Sequence, residues 1–93
     1  SLPDFPKTAV DGFAFNVDEI TSFPAELEIS GEIKAGDTTI PEIPEKSAIF
    51  IMTGAIVPEK LNAVVRIEDV EIIEGNKIRI PKPVPKYNLI NLP

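Results

Sequence analysis

The sequence predicts a mainly β fold, either a small distorted barrel or a bifurcated β-sheet, with at most one short helix. Composition is the first observation: of 93 residues, fourteen are Ile, seven are Val and ten are Pro. Side chains branched at Cβ suit a pleated surface, and frequent prolines leave few windows for a helix. The second observation is that apolar and polar residues alternate over several short segments. At this length the chain, residues 1–93, forms a single domain.

Period-two alternation and short apolar runs predict about six or seven strands. In the segment around Leu27–Ile33, apolar residues alternate with Glu28, Ser30 and Glu32, which predicts a strand with one solvated face. Ser47–Met52 and Ala63–Val65 are almost continuously apolar, so we expect them inside a layered structure. The predicted strands are Phe13–Val17, Leu27–Ile33, Ser47–Met52, Ala63–Val65, Val70–Ile73 and Ile78–Ile80.

Turn-forming residues separate these strands. Glu74–Asn76 predicts a hairpin turn between the last two of them. Val17–Phe23 is the one segment expected to hold a helical turn, capped by Asn16 or Asp18. The predicted loops are Gly36–Asp37, Pro41–Pro44, Pro58–Asn62 and Pro81–Pro85.

Charge and composition exclude several functions. Lys and Arg total 9 against 15 Asp and Glu, a net charge of -6. This balance argues against binding to nucleic acid or to an anionic membrane surface, and no apolar run approaches the ~20 residues of a membrane span. The absence of Cys and His excludes disulfides, thiol nucleophiles, zinc sites and catalytic triads. Because the chain begins with Ser, we expect it to be a piece of a longer protein.

Acidic residues are the commonest polar feature, in two groups. Carboxylates on one strand face suit a hard cation such as calcium or magnesium. No stretch has the ligand spacing and turn glycine of a calcium loop, however. A solvated face is therefore the favoured interpretation, and no metal site is predicted. The groups are Glu26, Glu28 and Glu32, expected on one strand face, and Glu68, Asp69 and Glu71.

Two short segments each allow a structural and a functional interpretation. Asp11–Gly12 is a frequent tight-turn dipeptide, but it also suits a carboxylate presented at a strand start, beside a glycine that permits close ligand approach. Met52–Ala55 follows an apolar run and suits a plain turn. It also suits an oxyanion site, made by the Thr53 hydroxyl and free backbone N–H groups. The nearest cations are Lys34, Lys60 and Arg66.

Several segments together resemble the MoeA-type molybdopterin molybdotransferases, a family that includes the E domain of gephyrin. Phe50–Glu59 is similar to the family's R-I-M-T-G-A-P-V-P-E, and Ala63–Asp69 to its A-V-V followed by an acidic pair. Upstream, Phe5–Ala14 is similar to F-D-N-S-A-M-D-G-Y-A, and Ser30–Gly36 to G-x-x-x-A-G. The resemblance covers nearly the whole chain. It identifies the chain with the β-rich second domain of that family only.

The resemblance implies a function for the longer protein. Family members are cytoplasmic multidomain enzymes that form elongated homodimers, with the cleft between this β domain and an α/β domain of the other subunit. They transfer molybdenum from molybdate into adenylylated molybdopterin with the help of a divalent cation, Mg²⁺. The expected cofactors are thus molybdopterin, molybdate and Mg²⁺ in the full-length enzyme. None is expected to bind this fragment, which we expect to be inactive alone.

The resemblance also implies site residues. The aspartate of the family's D-G-Y/F-A falls on Asp11 and the threonine of its M-T-G-A on Thr53, which are the expected catalytic residues. By the resemblance, Thr53 donates to an oxyanion or to the pterin phosphate, and Asp11 orders ligands or a bound cation. Four further positions of the matching segments are the expected cofactor-binding residues: Thr8, Gly12, Gly54 and Ala55.

This chain departs from the family pattern at four places, two of which are Pro6–Thr8 in place of D-N-S and Lys60–Asn62 in place of a glycine-containing gap. Phe50 replaces the arginine before I-M-T-G, and Lys86–Pro93 lacks the arginine and the G-E-D of the family's C-terminal motif. These differences support an alternative function, a non-catalytic binding or scaffolding β module that has kept the fold. A carbohydrate- or metal-binding β domain is a further alternative, but it requires a clustered aromatic face or convergent carboxylates. Aromatic residues are only 6% of the chain.

Overall fold

The computed structural model of the chain describes residues 5–92, and over this range it is mainly β, as predicted. Its regular elements are short strands and two single 3₁₀ turns, Val17–Glu19 and Ile67–Asp69. No helix in residues 5–92 is long and apolar enough to cross a membrane. The strands are β1 (Lys7–Thr8), β2 (Gly12–Phe15), β3 (Ala25–Ile33), β4 (Ser47–Ile51), β5 (Ala63–Arg66), β6 (Glu71–Ile73), β7 (Lys77–Ile80) and β8 (Ile90–Asn91).

Six strands form one curled sheet, a half-barrel, in the order β5-β2-β4-β3-β7-β6. All neighbours are antiparallel except β3 and β4, which run parallel. Parallel neighbours need a long crossover connection, and residues 34–46 provide it here without a helix. The two-residue strands β1 and β8 pair with each other in a separate small sheet. Neither of these strands was predicted, because two residues carry no periodic signal.

Apolar side chains are buried on both faces of the sheet, which explains why β2 and β4 have few exposed residues. On one face, Ala14 and Ile49 pack under loop residues that include Ile43 and Leu61. On the other, the curl of the sheet brings Phe15 of β2 against side chains of β7. The prediction that Ser47–Met52 and Ala63–Val65 lie inside a layered structure is confirmed for Ala63–Val65 and for the first segment as far as Ile51. Met52 is exposed. The second cluster comprises Phe13, Phe15, Leu27, Ala48, Ala63, Val65, Ile78 and Ile80.

A β-bulge in β3 overturns the prediction that its three glutamates share one face. The register against β4 shifts between Ile29 and Gly31. Glu28 is paired with Ser47 before the shift, whereas Glu32 is paired with Phe50 after it. Because these two residues of β4 are three positions apart, they lie on opposite faces. Glu28 and Glu32 therefore point to opposite sides of the sheet, and the three carboxylates do not share one face.

The same bulge divides the apolar residues of β3 between the two cores. Leu27 packs with the cluster that contains Phe15, and Ile33 packs with the cluster that contains Ile49. A regular strand would place both residues on one face, since they are an even number of positions apart. The predicted strand with one solvated face is therefore wrong in its second half.

The predicted turns are confirmed where short-range chemistry determines them. The first 3₁₀ turn begins after Asn16, whose Oδ1 accepts a hydrogen bond from the N–H of Asp18 at 2.9 Å. Glu74–Asn76 connects β6 to β7 as a hairpin turn. The second 3₁₀ turn, Ile67–Asp69, was not predicted. The first 3₁₀ turn, Val17–Glu19, is also held by Asn62, whose Oδ1 accepts a hydrogen bond from the N–H of Val17 at 2.8 Å.

Candidate functional site

Asp11 lies immediately before β2, because Gly12 is the first residue of that strand. The dipeptide is therefore not a two-residue hairpin turn. Asp11 stands at a strand start, which is the placement that the functional interpretation required. Its backbone carbonyl accepts a hydrogen bond from the N–H of Ile67 at 3.2 Å, so the segment that follows β5 also holds it in place.

Thr53 meets Asp11 because β2 and β4 are antiparallel, with Gly12 paired with Ile51. This pairing brings the residues that precede β2 next to those that follow β4. Asp11 Oδ1 accepts two hydrogen bonds from Thr53, one from the backbone N–H at 2.8 Å and one from the hydroxyl at 2.9 Å. Both residues are exposed. The structure thus brings together the two residues predicted to be catalytic.

These two hydrogen bonds lower the pKa of Asp11 below its usual value of 3.8. The backbone N–H of Thr53 has the larger effect, its hydroxyl the smaller one, and partial desolvation opposes both. Donors that point at the carboxylate favour its charged form. Asp11 is therefore ionised at neutral pH, and Thr53 fixes the orientation of its carboxylate.

The segment Met52–Ala55 is a tight turn in which the Ala55 N–H donates to the Met52 carbonyl at 2.9 Å. Gly54 has a φ of 87°, a value that this position of a type II turn requires and that glycine adopts freely. The N–H of Thr53 donates to Asp11, and that of Gly54 donates to the Thr8 carbonyl at 3.0 Å. The expectation of free N–H groups at residues 53–55 is therefore wrong.

Thr8 and Ala55 lie beneath the exposed pair and hold the turn from below. Thr8 is 2% exposed, and its hydroxyl donates to the Val10 carbonyl at 2.7 Å. Its backbone N–H donates to the carbonyl of Ala55, whose side chain is fully buried. The structure therefore places both residues as supports of the turn, and their contact with a cofactor stays a prediction.

Gly12 lies where β2 passes very close to β5. A Cβ atom at this position would collide with the carbonyl oxygen of Val65 and would lie 3.0 Å from its carbonyl carbon. The close packing of β2 on β5 thus requires a residue without a side chain at position 12, whether or not a ligand also approaches. Gly54 differs, because only the Ala35 Cβ, at 3.8 Å, lies near the position of its absent side chain.

The three candidate cations each have a partner. Lys34 forms an ion pair with Glu32 at 3.7 Å, and Arg66 forms one with Glu68. Lys60 donates from Nζ to the Ile43 carbonyl at 2.6 Å. Arg66 lies nearest the pair in the sheet, because it is the β5 residue paired with Gly12.

Two of the acidic residues form ion pairs with one arginine, Arg79. Arg79 of β7 contacts Glu26 of β3 and Glu71 of β6, each at 2.9 Å, because the register places the three side by side. Within residues 5–92, no three or more Asp and Glu side chains are grouped so as to hold a metal ion. Glu26 and Glu71 therefore each have an ion-pair partner within the sheet.

A groove of about 460 Å³ opens beside the site, between the end of β5 and the Pro81–Pro85 segment. Its walls include Arg66 and Lys82 as well as Glu68 and Glu71, so it carries charges of both signs. Neither Asp11 nor Thr53 lines it. The pair stands instead on the open rim formed by the ends of β2, β4 and β5.

Comparison with known proteins agrees with this geometry. The family model described as MoeA N-terminal region (domain I and II) matches residues 1–91. Molybdopterin molybdenumtransferase of Haemophilus influenzae is 36% identical over 86 residues, which cover 89% of this chain and 21% of that protein. The protein of the same name from Synechococcus elongatus is 32% identical over 94 residues, covering 96% and 23%.

A solved structure gives the same answer for the fold. The crystal structure of molybdopterin biosynthesis moeA protein from Pyrococcus horikoshii OT3 superposes with a TM-score of 0.82 and 33% identity, covering 98% of this chain and 25% of that one. The chain spans about a quarter or less of the length of each of these relatives. The resemblance drawn from the sequence motifs is confirmed, and the chain belongs to the MoeA N-terminal region family.

Proposed function

We propose that this chain is the substrate-cleft β domain of a molybdenum cofactor biosynthesis enzyme, one that inserts molybdenum from molybdate into adenylylated molybdopterin. Family membership supports it, as does the name molybdopterin molybdenumtransferase shared by the curated relatives described above. The observation that carries the proposal is the exposed pair of Asp11 and Thr53. Neither residue belongs to an apolar core, and Thr53 holds the Asp11 carboxylate in one orientation on an exposed rim.

In this proposal Asp11 is the residue that faces the reacting ligands. Its Oδ1 is filled by Thr53, and its Oδ2 accepts no hydrogen bond from the described residues. An ionised carboxylate with one free oxygen can accept a hydrogen bond from an N–H or O–H group of the substrate, or from a water molecule bound to a cation. Thr53 acts through Asp11: its hydroxyl proton is already used, so donation to a phosphate oxygen would break the bond that orients the carboxylate.

The residues present fit a magnesium ion as part of its coordination shell. Mg²⁺ usually keeps several waters and is bound by one or two carboxylates together with substrate phosphates. Asp11 supplies one carboxylate, which would contact the ion through a bound water, and no group of three or more Asp and Glu side chains is present within residues 5–92. When bound, the ion would supply positive charge to the phosphates. Asp11 would orient one of its waters, and Thr53 would hold Asp11 for that task.

The remaining half of the cleft belongs to other parts of the longer protein. We propose that it is a cytoplasmic homodimer, that this domain is one unit within it, and that the isolated chain is inactive. Support comes from the coverage, since the aligned region is 21% of the Haemophilus influenzae relative. Measurable molybdenum insertion by the chain alone would contradict this part of the proposal.

The experiment is a comparison of variants in the full-length parent enzyme. Asp11→Asn and Thr53→Ala should each lower molybdenum insertion by about tenfold or more, because the carboxylate loses its charge or its orientation. The matched control is Asp37→Asn, since the Asp37 carboxylate also accepts a backbone N–H, that of Lys34, at 2.8 Å. That variant should retain full activity.

Thermal stability decides between the proposal and the scaffolding alternative. The melting temperatures of Asp11→Asn and Thr53→Ala should remain near that of the wild type, because both residues are exposed. If either variant instead melts much earlier while its activity per folded molecule is unchanged, Asp11 and Thr53 form a structural turn. The function of this domain would then be that of a non-catalytic module.

A further inference from the structure

Strand β5 is the outermost strand at one end of the six-stranded sheet of residues 5–92, and β2 is its neighbour. An outermost strand presents backbone N–H and C=O groups with which another strand can pair. Along β5 these groups alternate in direction. The N–H of Ile67 points towards β2, because it donates to the Asp11 carbonyl at 3.2 Å. The N–H and C=O of Val64, three residues earlier, therefore point away from β2.

One residue, Asn88, bonds to both of these outward groups of Val64. The Val64 N–H donates to the Asn88 carbonyl at 3.0 Å, and the Val64 carbonyl accepts from Asn88 Nδ2 at 2.8 Å. In a regular strand pair the second bond would come from a backbone N–H. The Asn88 backbone N–H instead donates to the Pro85 carbonyl at 3.2 Å. The side-chain amide of Asn88 thus replaces a backbone donor, which a hydrocarbon or a carboxylate side chain at this position cannot do.

The residues on either side of Asn88 do not extend this pairing into a strand. Tyr87 has a φ of 68° and Leu89 a φ of 58°, both in the left-handed region that residues other than glycine rarely adopt. The chain therefore turns before and after Asn88. The Tyr87 N–H also donates to the Asn62 carbonyl at 2.6 Å. This segment closes the outer edge of β5 without forming a new strand edge of its own.

Without this segment, β5 suits pairing with β5 of a second copy of the protein. An antiparallel pair centred on Val64 has a twofold axis, so the two Val64 residues would exchange both of their hydrogen bonds. The register would place Arg66 opposite Asn62 of the second copy, so like charges would not meet. Val64 and Val65, which are branched at Cβ, also favour strand pairing.

We propose that residues 87–89 are an autoinhibitory cover, in which Asn88 prevents β5 from pairing with β5 of a second copy. This inference goes beyond the proposed function and does not depend on it, because it concerns assembly and not the reaction. The amide of Asn88 is the decisive group. When it is removed, the Val64 carbonyl loses its donor and fewer hydrogen bonds hold the cover on the strand.

The test removes this donor in the full-length parent protein. Asn88→Leu and Asn88→Asp nearly keep the size of the side chain, but at neutral pH neither can donate to Val64. In dilute samples the Val64 N–H should exchange with solvent about tenfold faster in both variants, because the cover opens more often. In concentrated samples, analytical ultracentrifugation should show species larger than the wild-type assembly. Asn91→Leu is the matched control, because Asn91 is an exposed residue of β8, and it should behave as the wild type does.

Exchange of the Arg66 N–H identifies the surface that associates. This N–H points outward like that of Val64, two residues earlier, so it should become protected as the larger species form. Larger species in which the Arg66 N–H stays unprotected would show that another surface associates, and would contradict the inference.

The size of the assembly decides between a cover and a structural brace. Asn88 variants that keep the wild-type size at every concentration would overturn the inference, even if Val64 exchanges faster, because the segment would then only brace the sheet. If Asn88→Leu does not fold, as circular dichroism would show, Asn88→Asp decides in its place, since aspartate has the shape of asparagine.

Discussion

Thr53 donates two hydrogen bonds to one oxygen of Asp11, although the residues are 42 positions apart in the chain. One comes from the backbone and one from the side chain. The pair joins the start of β2 to the end of β4. The pKa and orientation of the Asp11 carboxylate therefore depend on a residue in the turn that follows β4, and substitutions at position 53 alter them without changing Asp11.

The first prediction concerns the ionisation of Asp11. The pKa of its carboxyl should lie below 3.8, because both Thr53 donors favour the charged form. A lowered pKa stabilises the folded state above the unfolded-state pKa, and this contribution is lost as the pH falls through the folded-state value. Thr53→Val removes the hydroxyl and keeps the N–H, so the pKa should rise only part of the way. NMR titration of the carboxyl carbon measures it.

Thr39→Val serves as the control for this titration, since Thr39 is an exposed residue of the crossover loop. It should leave the pKa of Asp11 unchanged. An identical Asp11 titration in wild type and Thr53→Val would show that the hydroxyl does not bond to the carboxylate in solution.

The second prediction concerns Gly12. Gly12→Ala should destabilise the domain by about 3 kcal/mol, because the added Cβ collides with the backbone of Val65, which cannot move without breaking the β2–β5 pairing. Gly31→Ala is the comparison: its Cβ would approach side-chain atoms of Pro41 at 3.2 Å, in a loop that yields more easily. Urea unfolding of both variants measures the difference. Equal losses would show that strand crowding at Gly12 is not the cause.

Local sequence chemistry predicted the parts of the fold that depend on neighbouring residues. Alternation predicted the strand around Phe13, and Glu74–Asn76 predicted the hairpin turn. Asn16 as the cap of a 3₁₀ turn follows from its own side chain. These features involve residues a few positions apart, so the sequence pattern contains them.

Features that depend on distant pairing were not predictable. The bulge at residues 29–31 and the parallel pairing of β3 with β4 arise from register, which alternation alone does not specify. At the site, the residues Asp11 and Thr53 were found through the family motif. The hydrogen bond from the Gly54 N–H to the Thr8 carbonyl was not predicted, because it joins two segments that are 46 residues apart in the sequence.

The third prediction concerns the ion-pair triad on the outer strands. Arg79→Met should lower the melting temperature by no more than about 3 °C, because all three side chains are exposed and each pair is screened by solvent. The loss should shrink in 1 M NaCl. Lys34→Met, which removes the single pair with Glu32, is the control and should have a smaller effect. A loss for Arg79→Met that is unaffected by salt would show that the side chain stabilises the sheet by packing.

The fourth prediction concerns Asn76, which ties the β6–β7 hairpin to the bulge of β3. Its φ is 62°, and its Nδ2 donates to the Ile29 carbonyl at 2.8 Å while its own carbonyl accepts from the Ile29 N–H at 2.8 Å. Asn76→Gly keeps the backbone conformation and loses only the side-chain bond, so it should cost about 1 kcal/mol. Asn76→Ala also strains the left-handed backbone.

The alanine variant should therefore cost about 2 kcal/mol in urea unfolding. The difference between the two variants isolates the backbone conformation from the hydrogen bond. Amide hydrogen exchange gives a second measurement, because the Ile29 N–H should exchange faster in Asn76→Ala than in Asn76→Gly. If both variants are equally stable and protect Ile29 equally, the positive φ carries no cost, and the side-chain bond alone fixes this end of the bulge.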